Sequence, residues 1–249
     1  MTEAVHEPDT GPFGVTIAEV VALGPMQRMA AQHLSKSHIE TAPVTLLGEA
    51  EVDGLVALRK TLNAGREDAA EPRISYTHLI LKILALALGR HRRLNSALVE
   101  KELHVFADIN IGMALSLPDG NLIVPVIRHV DRKSLDEVAA EASELAARGA
   151  AGKLGLDDVR GATFTLTNAG MVPSARWTTP IIPLPQAAIL GVGAVREAAV
   201  VRAGEVVAGH VLPLSLTFDH RLVNGVPASE FLDDLGKLLA EPPTSELSV

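Results

Sequence analysis

Residues 211–241 read VLPLSLTFDHRLVNGVPASEFLDDLGKLLAE, which predicts a strand, a polar turn and a helix in direct succession. The apolar and β-branched residues before Asp219 are typical of a buried strand. Pro227 suits the first turn of the helix that follows, and the apolar positions of this helix fall on one face: Phe231, Leu235, Leu238 and Leu239. The polar turn between the strand and the helix is either an ordinary surface turn or a scaffold that holds His220 beside its partners.

Most of the other predicted strands also lie in the second half of the chain. Alternation or β-branched residues predict strands in GATFTLTNAG, AAILGVGAV and AAVVRAGEVV, the last of which turns at Ala203-Gly204. Helices are predicted from Pro25, from Val52, from Thr77 to His91, and after Ser134, where Glu137 completes a capping box. Because strands and helices do not alternate strictly, we expect an α+β domain with a mixed β-sheet covered by helices.

Composition excludes several classes of function. The net charge of −8 argues against nucleic acid as a partner. The absence of cysteine excludes disulfides and thiolate metal ligands, and the nine scattered histidines fit no metal pattern, so we expect no metal. The most apolar run is interrupted by Lys82 and is too short to span a membrane. With no signal peptide in the first residues, we expect a cytoplasmic protein.

The polar turn contains the candidate site, Asp219-His220-Arg221-x-x-Asn224-Gly225. The strand fixes the backbone before His220 and the helix fixes it afterwards. Asn224 offers both a hydrogen-bond donor and an acceptor, and Gly225 permits a backbone angle that other residues resist. Spacing alone leaves open an ordinary Asn-Gly turn in which His220 has a structural role.

LSLTFDHRLVNGVPASEFL resembles the His-x-x-x-Asp-Gly signature of the 2-oxoacid dehydrogenase acyltransferase (E2) catalytic domains, which are related to chloramphenicol acetyltransferase. Other blocks resemble the same family in the same order: GPMQRMAAQHLSKSH, VDGLVALRKTLNA, the long block that begins INIGMALSLPDG, GATFTLTNAGM and PQAAILGVGAV. The resemblance covers residues 22–241. It implies a chloramphenicol-acetyltransferase-like fold that forms trimers. The Pro and Gly residues of positions 1–21 predict a flexible arm, and residues 242–249 are expected to form a polar tail.

The resemblance also implies a dihydrolipoamide acyltransferase, with roles for individual residues. His220 is expected to be the general base on a thiol of coenzyme A or of dihydrolipoamide, and Thr167 is expected to stabilise the tetrahedral oxyanion. Asn224 stands where the family most often has Asp, so it is expected to organise the site without a charge. Asp219 and Arg221 are expected to form an ion pair that holds the turn.

The substrates and partners are implied in the same way. Coenzyme A and a dihydrolipoyl group would be the substrates, although the resemblance assigns no residues to coenzyme A. Typical members of the family carry lipoyl domains before the catalytic block, whereas only about 21 residues precede it here. Either those modules lie on another chain, or the sequence is an excised core, or the enzyme works on free acyl carriers. In the first case a lipoyl-bearing chain and the 2-oxoacid dehydrogenase components are expected partners. Active sites would lie between the subunits of a homotrimer, alone or within a larger shell. The loop at residues 171–177 departs from the family pattern near the acyl pocket, which suggests an altered substrate preference.

Two alternatives remain open on the sequence. One is a stand-alone acyltransferase with a different acceptor, as in the antibiotic acetyltransferases, but those enzymes have a doubled histidine where Asp219 precedes His220 here. The other is a non-catalytic scaffold subunit of a 2-oxoacid dehydrogenase complex. Degenerate scaffolds lose the motif histidine, which this chain keeps.

Overall fold

The computed structural model describes residues 14–64, 66, 72–117, 120–172 and 174–247. These residues form five α-helices, ten strands and three short 3₁₀ helices (Arg92–Leu94, Val130–Arg132 and Leu156–Val159). The helices are α1 Pro25–Glu40, α2 Asp53–Asn63, α3 Tyr76–Arg90, α4 Leu135–Ala150 and α5 Gly225–Ala240. The strands are β1 Pro43–Glu51, β2 Ser96–Val99, β3 Glu102–Val105, β4 Ile111–Ser116, β5 Leu122–Ile123, β6 Val126–Ile127, β7 Phe164–Asn168, β8 Ala188–Val192, β9 Arg196–Arg202 and β10 Glu205–Asp219.

Eight strands form one mixed sheet, as the sequence predicts. Its main path is β1-β10-β8-β7-β4-β5, with β6 paired to β4 and β9 paired to β10. The pairs β4–β7 and β7–β8 are parallel, whereas the other pairs in the sheet are antiparallel. β2 and β3 make a separate antiparallel hairpin that the sequence analysis missed.

One face of the sheet and helices α2 to α5 share a single buried core. Leu166, Leu216 and Phe218 point from the central strands into this core. α3 is almost entirely buried, and α5 contributes the predicted apolar face: Phe231, Leu235, Leu238 and Leu239. The α+β prediction is confirmed, since helices cover a mixed sheet.

None of the α1 side chains that the structure describes belongs to this core. Helix α1 begins at Pro25, as predicted, but the apolar side chains of Met29, Leu34 and Ile39 are 66%, 47% and 82% exposed. Ser37 is the buried exception, and its hydroxyl donates to the carbonyl of Ile182 at 2.5 Å. An apolar helix face without cover in one chain is a feature of interaction surfaces.

The opposite face of the sheet bears buried hydroxyl groups and is covered by residues 176–186. Thr165 donates to Gln186 Oε1 at 2.8 Å, and the amide of Thr178 donates to Ser215 Oγ at 3.2 Å. A Cβ atom on Gly191 would lie 2.7 Å from the Thr178 hydroxyl, so this glycine allows the covering segment to approach β8 closely. The hydroxyl groups thus fix the segment above the centre of the sheet.

Strand β10 is longer than predicted. The two runs GEVV and VLPLSLTF form one strand of 15 residues, because β9 pairs with its first half and β1 and β8 pair with its second half. The predicted turn at Ala203-Gly204 is present, with φ angles of 51° and 86°, which suit a two-residue hairpin loop.

A buried charge joins α3 to the segment that leads into α4, and a capping box begins α4. The ammonium group of Lys82, inside α3, donates to the carbonyls of Val130, Asp131 and Lys133, which lead into α4. The predicted capping box of α4 is also present: Glu137 N donates to Ser134 Oγ at 3.2 Å, and Ser134 N donates to Glu137 Oε2 at 2.7 Å. Burial lowers the pKa of Lys82 from its ordinary value.

The N-terminal arm is mostly exposed where it is described, whereas the C-terminal tail packs against the domain. Residues 1–13 of the predicted arm lie outside the described residues, and residues 14–24 are mostly exposed. The described part of the predicted polar tail packs back on the domain. Leu247 is fully buried, and its carbonyl accepts a hydrogen bond from Leu135 N at 3.3 Å.

Candidate active site

The carboxylate of Asp219 is the centre of the turn after β10. It is 1% exposed, and Oδ1 accepts hydrogen bonds from the amides of Ala42 (3.2 Å) and Arg221 (3.1 Å). The Arg221 guanidinium donates Nε to both oxygens at 3.0 Å and Nη2 to Oδ2 at 2.6 Å. The predicted ion pair is therefore present, and it also ties the turn to the start of β1.

These contacts set the protonation state of Asp219. Burial acts to raise the pKa of the carboxyl, but the hydrogen bonds from Arg221 and from the Ala42 amide outweigh it, so the pKa lies below its ordinary value of 3.8. The group is thus a carboxylate under physiological conditions, which the Arg221 contacts require.

His220 is held through its backbone and exposes its side chain. Its amide donates to the carbonyl of Ala42 at 2.9 Å, and the preceding amide of Asp219 donates to the carbonyl of Ala187 at 2.9 Å. The imidazole lies against Phe218, with ring centroids 5.7 Å apart and an interplanar angle of 41°. The turn therefore presents an exposed imidazole from a fixed position.

Asn224 and Gly225 lie at the start of α5. Asn224 is the exposed N-terminal cap residue, its side chain makes no capping hydrogen bond, and its carbonyl accepts from Ala228 N at 3.2 Å. The prediction of an unusual backbone angle at Gly225 was wrong, because Gly225 has no positive φ. α5 also begins two residues before the predicted Pro227.

The turn is closed by the carbonyl of Asp219 instead. It accepts hydrogen bonds from the amides of Leu222 (2.9 Å) and Val223 (3.1 Å). Asn224 follows as the N-terminal cap residue of α5, and its side chain is exposed. Its neighbourhood in one chain is thus compatible with a contact to substrate or to another subunit.

Thr167 lies on β7 and is half-buried. It is in register with Ala114 of β4 on one side and Gly191 of β8 on the other. The next residue, Asn168, fixes the strand end: its Nδ2 donates to Thr77 Oγ1 at 3.0 Å, and its Oδ1 accepts from Gly170 N at 2.7 Å. The Thr167 hydroxyl forms no hydrogen bond with the residues that the structure describes.

The structure does not bring Thr167 and His220 together in one chain. Thr167 is level with Gly191 of β8 and Ser215 of β10, and His220 follows five residues beyond Ser215. With about 3.3 Å per residue along a strand and about 4.8 Å between strands, the two Cα atoms lie about 15–20 Å apart. The hydroxyl and the imidazole of one chain therefore cannot act on the same atom.

The loop at residues 171–177 follows the end of β7, although Pro173 lies outside the described residues. It begins four residues after Thr167, and its last residue, Trp177, donates Nε1 to the carbonyl of Gly48 at 3.0 Å. The adjoining Thr178 packs against Gly191, the β8 neighbour of Thr167. The loop thus leads directly into the segment that covers the hydroxyl-bearing face of the sheet.

Sequence analysis missed two residues whose backbone groups hold the turn that contains Asp219 and His220. Ala42 and Ala187 supply an amide and carbonyls, which every residue has, so no sequence signal identifies them. Gln186, which bonds Thr165, is a buried amide in a Pro-rich segment, and a polar residue between prolines and a strand is a signal that could have been used.

The described ranges contain neither a cluster of metal-ligating side chains nor a membrane-spanning helix. Within those ranges, no group of three or more His, Asp or Glu side chains could hold a metal ion. No helix among them is both long and apolar enough to cross a membrane.

Replacement of Asp219 by asparagine should destabilise the fold at neutral pH by about 1–3 kcal/mol, because charged hydrogen bonds to Ala42 and Arg221 are lost. The folded-state pKa of Asp219 is lowered, so its stabilisation is fully present above about pH 4 and is lost as the pH falls through that pKa. Urea unfolding at pH 7 and below about pH 4 measures both effects.

The matched control for that experiment is Glu102→Gln, which alters an exposed hydrogen bond with His104 on β3. It should change the free energy of unfolding by less than about 0.5 kcal/mol at either pH. A wild-type advantage over Asp219→Asn that stays constant or grows in acid would contradict the assignment of a stabilising Asp219 carboxylate.

Comparisons with known proteins place this geometry in a family. The family model described as 2-oxoacid dehydrogenases acyltransferase (catalytic domain) matches residues 16–247. The dihydrolipoyllysine-residue acetyltransferase component of the Bacillus subtilis pyruvate dehydrogenase complex is 41% identical over 81% of this chain and 46% of its own length. The chain spans about half the length of the curated relatives it matches.

Solved structures agree with the family model. The dihydrolipoamide acetyltransferase (E2p) of Azotobacter vinelandii, studied for the catalytic roles of one serine, one histidine and one asparagine, has a TM-score of 0.89 at 34% identity and covers 97% of this chain and 98% of its own. Chloramphenicol acetyltransferase shares the fold, with a TM-score of 0.55 at 15% identity over 84% of this chain and 94% of its own. The predicted fold is confirmed, and the chain belongs to the family of 2-oxoacid dehydrogenase acyltransferase catalytic domains.

Proposed function

We propose that this chain is a dihydrolipoamide acyltransferase that moves an acetyl group between coenzyme A and a dihydrolipoyl thiol. The observation that carries the proposal is the fixed turn that exposes His220, with Asn224 four residues later at the start of α5. The Azotobacter vinelandii acetyltransferase is described with a histidine and an asparagine at the same spacing in its catalytic mechanism. The acetyl group is inferred from the names of both relatives.

In the proposed reaction, His220 acts as the general base. Its imidazole accepts the proton of the attacking thiol, and the resulting thiolate adds to the thioester carbonyl to form a tetrahedral intermediate. The carbon–sulfur bond to the leaving thiol then breaks, and the imidazolium returns its proton to that sulfur. Atoms and charges balance without a metal or a redox step.

Thr167 would stabilise the oxyanion of that intermediate. Its hydroxyl makes no hydrogen bond with any described residue, which leaves it able to donate to a substrate oxygen. The fixed position of β7 between β4 and β8 holds the donor in advance of the reaction, which is the condition for effective oxyanion stabilisation. The serine named for the Azotobacter vinelandii enzyme also bears a hydroxyl.

Asn224 would serve this reaction as a neutral hydrogen-bonding group. Its exposed side chain has no capping contact, so its amide is available to a substrate or to a neighbouring subunit. Asp219 and Arg221 would act as positioning residues only, because their charges neutralise each other in the turn.

The active site would be assembled between two copies of the chain. The separation of Thr167 and His220 within one chain requires that a second copy supply one of them. The exposed apolar side of α1 offers a surface for such an association. We propose a homotrimer, as the sequence resemblance implies, in which His220 of one subunit faces Thr167 of the next. A lipoyl-bearing chain and the other components of a 2-oxoacid dehydrogenase complex would be its partners.

Acyl transfer from acetyl-, succinyl- and isobutyryl-coenzyme A to free dihydrolipoamide tests the proposal. We expect turnover with acetyl-coenzyme A and slower turnover with the two larger donors, measured as thioester formed. Turnover that favours a larger donor would correct the acyl group and would fit an altered loop at residues 171–177. No turnover with any donor by a folded oligomer would refute the function.

A further inference from the structure

The segment that covers the sheet comes very close to β8 at two glycines, one inside the strand and one just after it. A Cβ atom on Gly193 would lie 2.5 Å from the carbonyl oxygen of Arg176, and one on Gly191 would lie 2.7 Å from the Thr178 hydroxyl. Contacts this short leave no room for a side chain at either position, which is a recognised reason for glycine in a strand. The Thr178 hydroxyl thus occupies the space that a side chain at position 191 would fill.

Side-chain alternation places the Thr178 hydroxyl on the same face of the sheet as Thr167. Leu166 points into the helix-covered core, so Thr167, the next residue of β7, points to the opposite face. Leu190 also points into the core, so Gly191 faces away from it. Thr178 lies over Gly191, which is directly beside Thr167 in the parallel β7–β8 pair. The two threonines are therefore neighbours on one face.

The position of Thr178 is fixed by hydrogen bonds to two other strands. Its amide donates to Ser215 Oγ at 3.2 Å, and Ser215 is the β10 partner of Gly191. The preceding residue, Trp177, donates Nε1 to the carbonyl of Gly48 on β1 at 3.0 Å. The backbone of the segment is thus attached to the sheet while the Thr178 hydroxyl is directed at β8. A donor that is held in place before the reaction is what stabilisation of a developing charge requires.

The hydroxyl groups of Thr178 and Thr167 are both available to a substrate. Neither forms a hydrogen bond with a residue that the structure describes, and both residues are half-buried. Because adjacent strands are about 4.8 Å apart, a group that lies over Gly191 is about 4–6 Å from the Thr167 hydroxyl. One oxygen atom can accept from two donors, each at about 2.8 Å, when the donors are no more than about 5.6 Å apart. The separation of the two hydroxyls therefore suits one shared acceptor.

We propose that Thr178 is a second hydrogen-bond donor to the oxyanion of the tetrahedral intermediate, beside Thr167 and from the same subunit. The inference rests on the proposed function, since it adds a residue to that reaction. The negative charge on the carbonyl oxygen develops only as the thiolate adds to the thioester, so a donor aimed at this oxygen stabilises the transition state more than the bound substrate. Both hydroxyls keep their protons, and the proton transfers remain with His220.

Steady-state kinetics of Thr178→Val in the full chain test the inference. We expect kcat for acyl transfer from acetyl-coenzyme A to dihydrolipoamide to fall by about 10- to 100-fold, the effect of one hydrogen bond to a charged oxygen. The KM values for both substrates should stay within about twofold, because the bond strengthens only as the charge develops. Thr178→Ser keeps the hydroxyl and should recover most of the lost kcat, which a purely structural role of the threonine would not predict.

Gly191→Ala tests the position of the hydroxyl instead of its presence. The added Cβ would displace the Thr178 hydroxyl from β8, so kcat should fall by at least about tenfold with both threonines intact. This variant also keeps the inference testable if Thr178→Val fails to fold, and unfolding temperature and oligomer size show which variants are folded. Thr179→Val is the matched control: it makes the same change at the next, exposed residue and should leave kcat within about twofold.

An unchanged kcat in folded Thr178→Val would overturn the inference. A loss of kcat that Thr178→Ser does not recover, or a rise in KM with kcat unchanged, would also overturn it, because either result would assign Thr178 a structural or substrate-binding role. Failure of the proposed function gives a different result: the wild-type protein itself would transfer no acyl group, and the inference would then be refuted together with the function.

Discussion

Replacement of His220 by alanine should lower kcat for acyl transfer by about 10²- to 10⁴-fold, the range that a positioned general base contributes. The thiol would then have to lose its proton to water before it attacks the thioester. The fold should be largely unaffected, because His220 is exposed and its backbone amide makes the hydrogen bond that holds the turn. The measurement is thioester formation from acetyl-coenzyme A at saturating substrate, with unfolding temperature and oligomer size measured in parallel.

His104→Ala is the appropriate control for this variant. His104 is also exposed and pairs with Glu102, but it lies on the β2–β3 hairpin outside the main sheet. It should retain activity within about twofold, as expected of a surface substitution. If His220→Ala keeps more than a tenth of the wild-type kcat, His220 is not the general base, and the turn is the structural feature that the spacing alone allowed.

Replacement of Thr167 by valine should lower kcat by about 10²- to 10³-fold, which is typical of the loss of one oxyanion donor. Valine has nearly the same shape and suits a strand, so the change removes the hydroxyl with little effect on β7. Thr165→Val is the contrasting variant: its hydroxyl bonds Gln186, and its loss should reduce stability more than kcat.

Mixing the two inactive variants tests where the site lies. Oligomers formed by co-expression of His220→Ala and Thr167→Val chains in equal amounts should recover about a quarter of the wild-type activity, because a quarter of the interfaces then combine an intact histidine with an intact threonine. Separately expressed variants mixed without subunit exchange should stay inactive. Mixed oligomers no more active than the better single variant would show that the two residues do not act across an interface.

The second half of the fold could be predicted from the sequence because its signals are local. The strand, turn and helix of residues 211–241 follow from apolar alternation and one helical face, and the Ser134 cap follows from a spacing of three residues. The β2–β3 hairpin was missed because its strands are only four residues long. The continuity of β10 depends on which strands pair with it, which no local pattern records.

In the candidate site too, contacts between residues close in sequence were predicted, and contacts between distant residues were not. The Asp219–Arg221 pair joins residues two positions apart and was predicted. The role of Ala42 depends on a contact between residues 177 positions apart, made by its backbone, so it was not predictable. The interpretation of Gly225 was wrong because a glycine that permits a rare backbone angle does not always adopt one. The Ser75-x-x-His78 capping box at the start of α3 also had a local signal, which sequence analysis did not use.

The separation of Thr167 and His220 within one chain has a consequence for the abundance of the protein in a cell. If the two groups meet only across an interface, a newly made subunit has no catalytic capacity until it binds another subunit. The fraction of subunits that are assembled then depends on their concentration. At low expression, output would rise more steeply than the number of chains. A substitution on the exposed side of α1 could then silence the reaction by dilution alone, with every reacting group intact and every chain correctly folded.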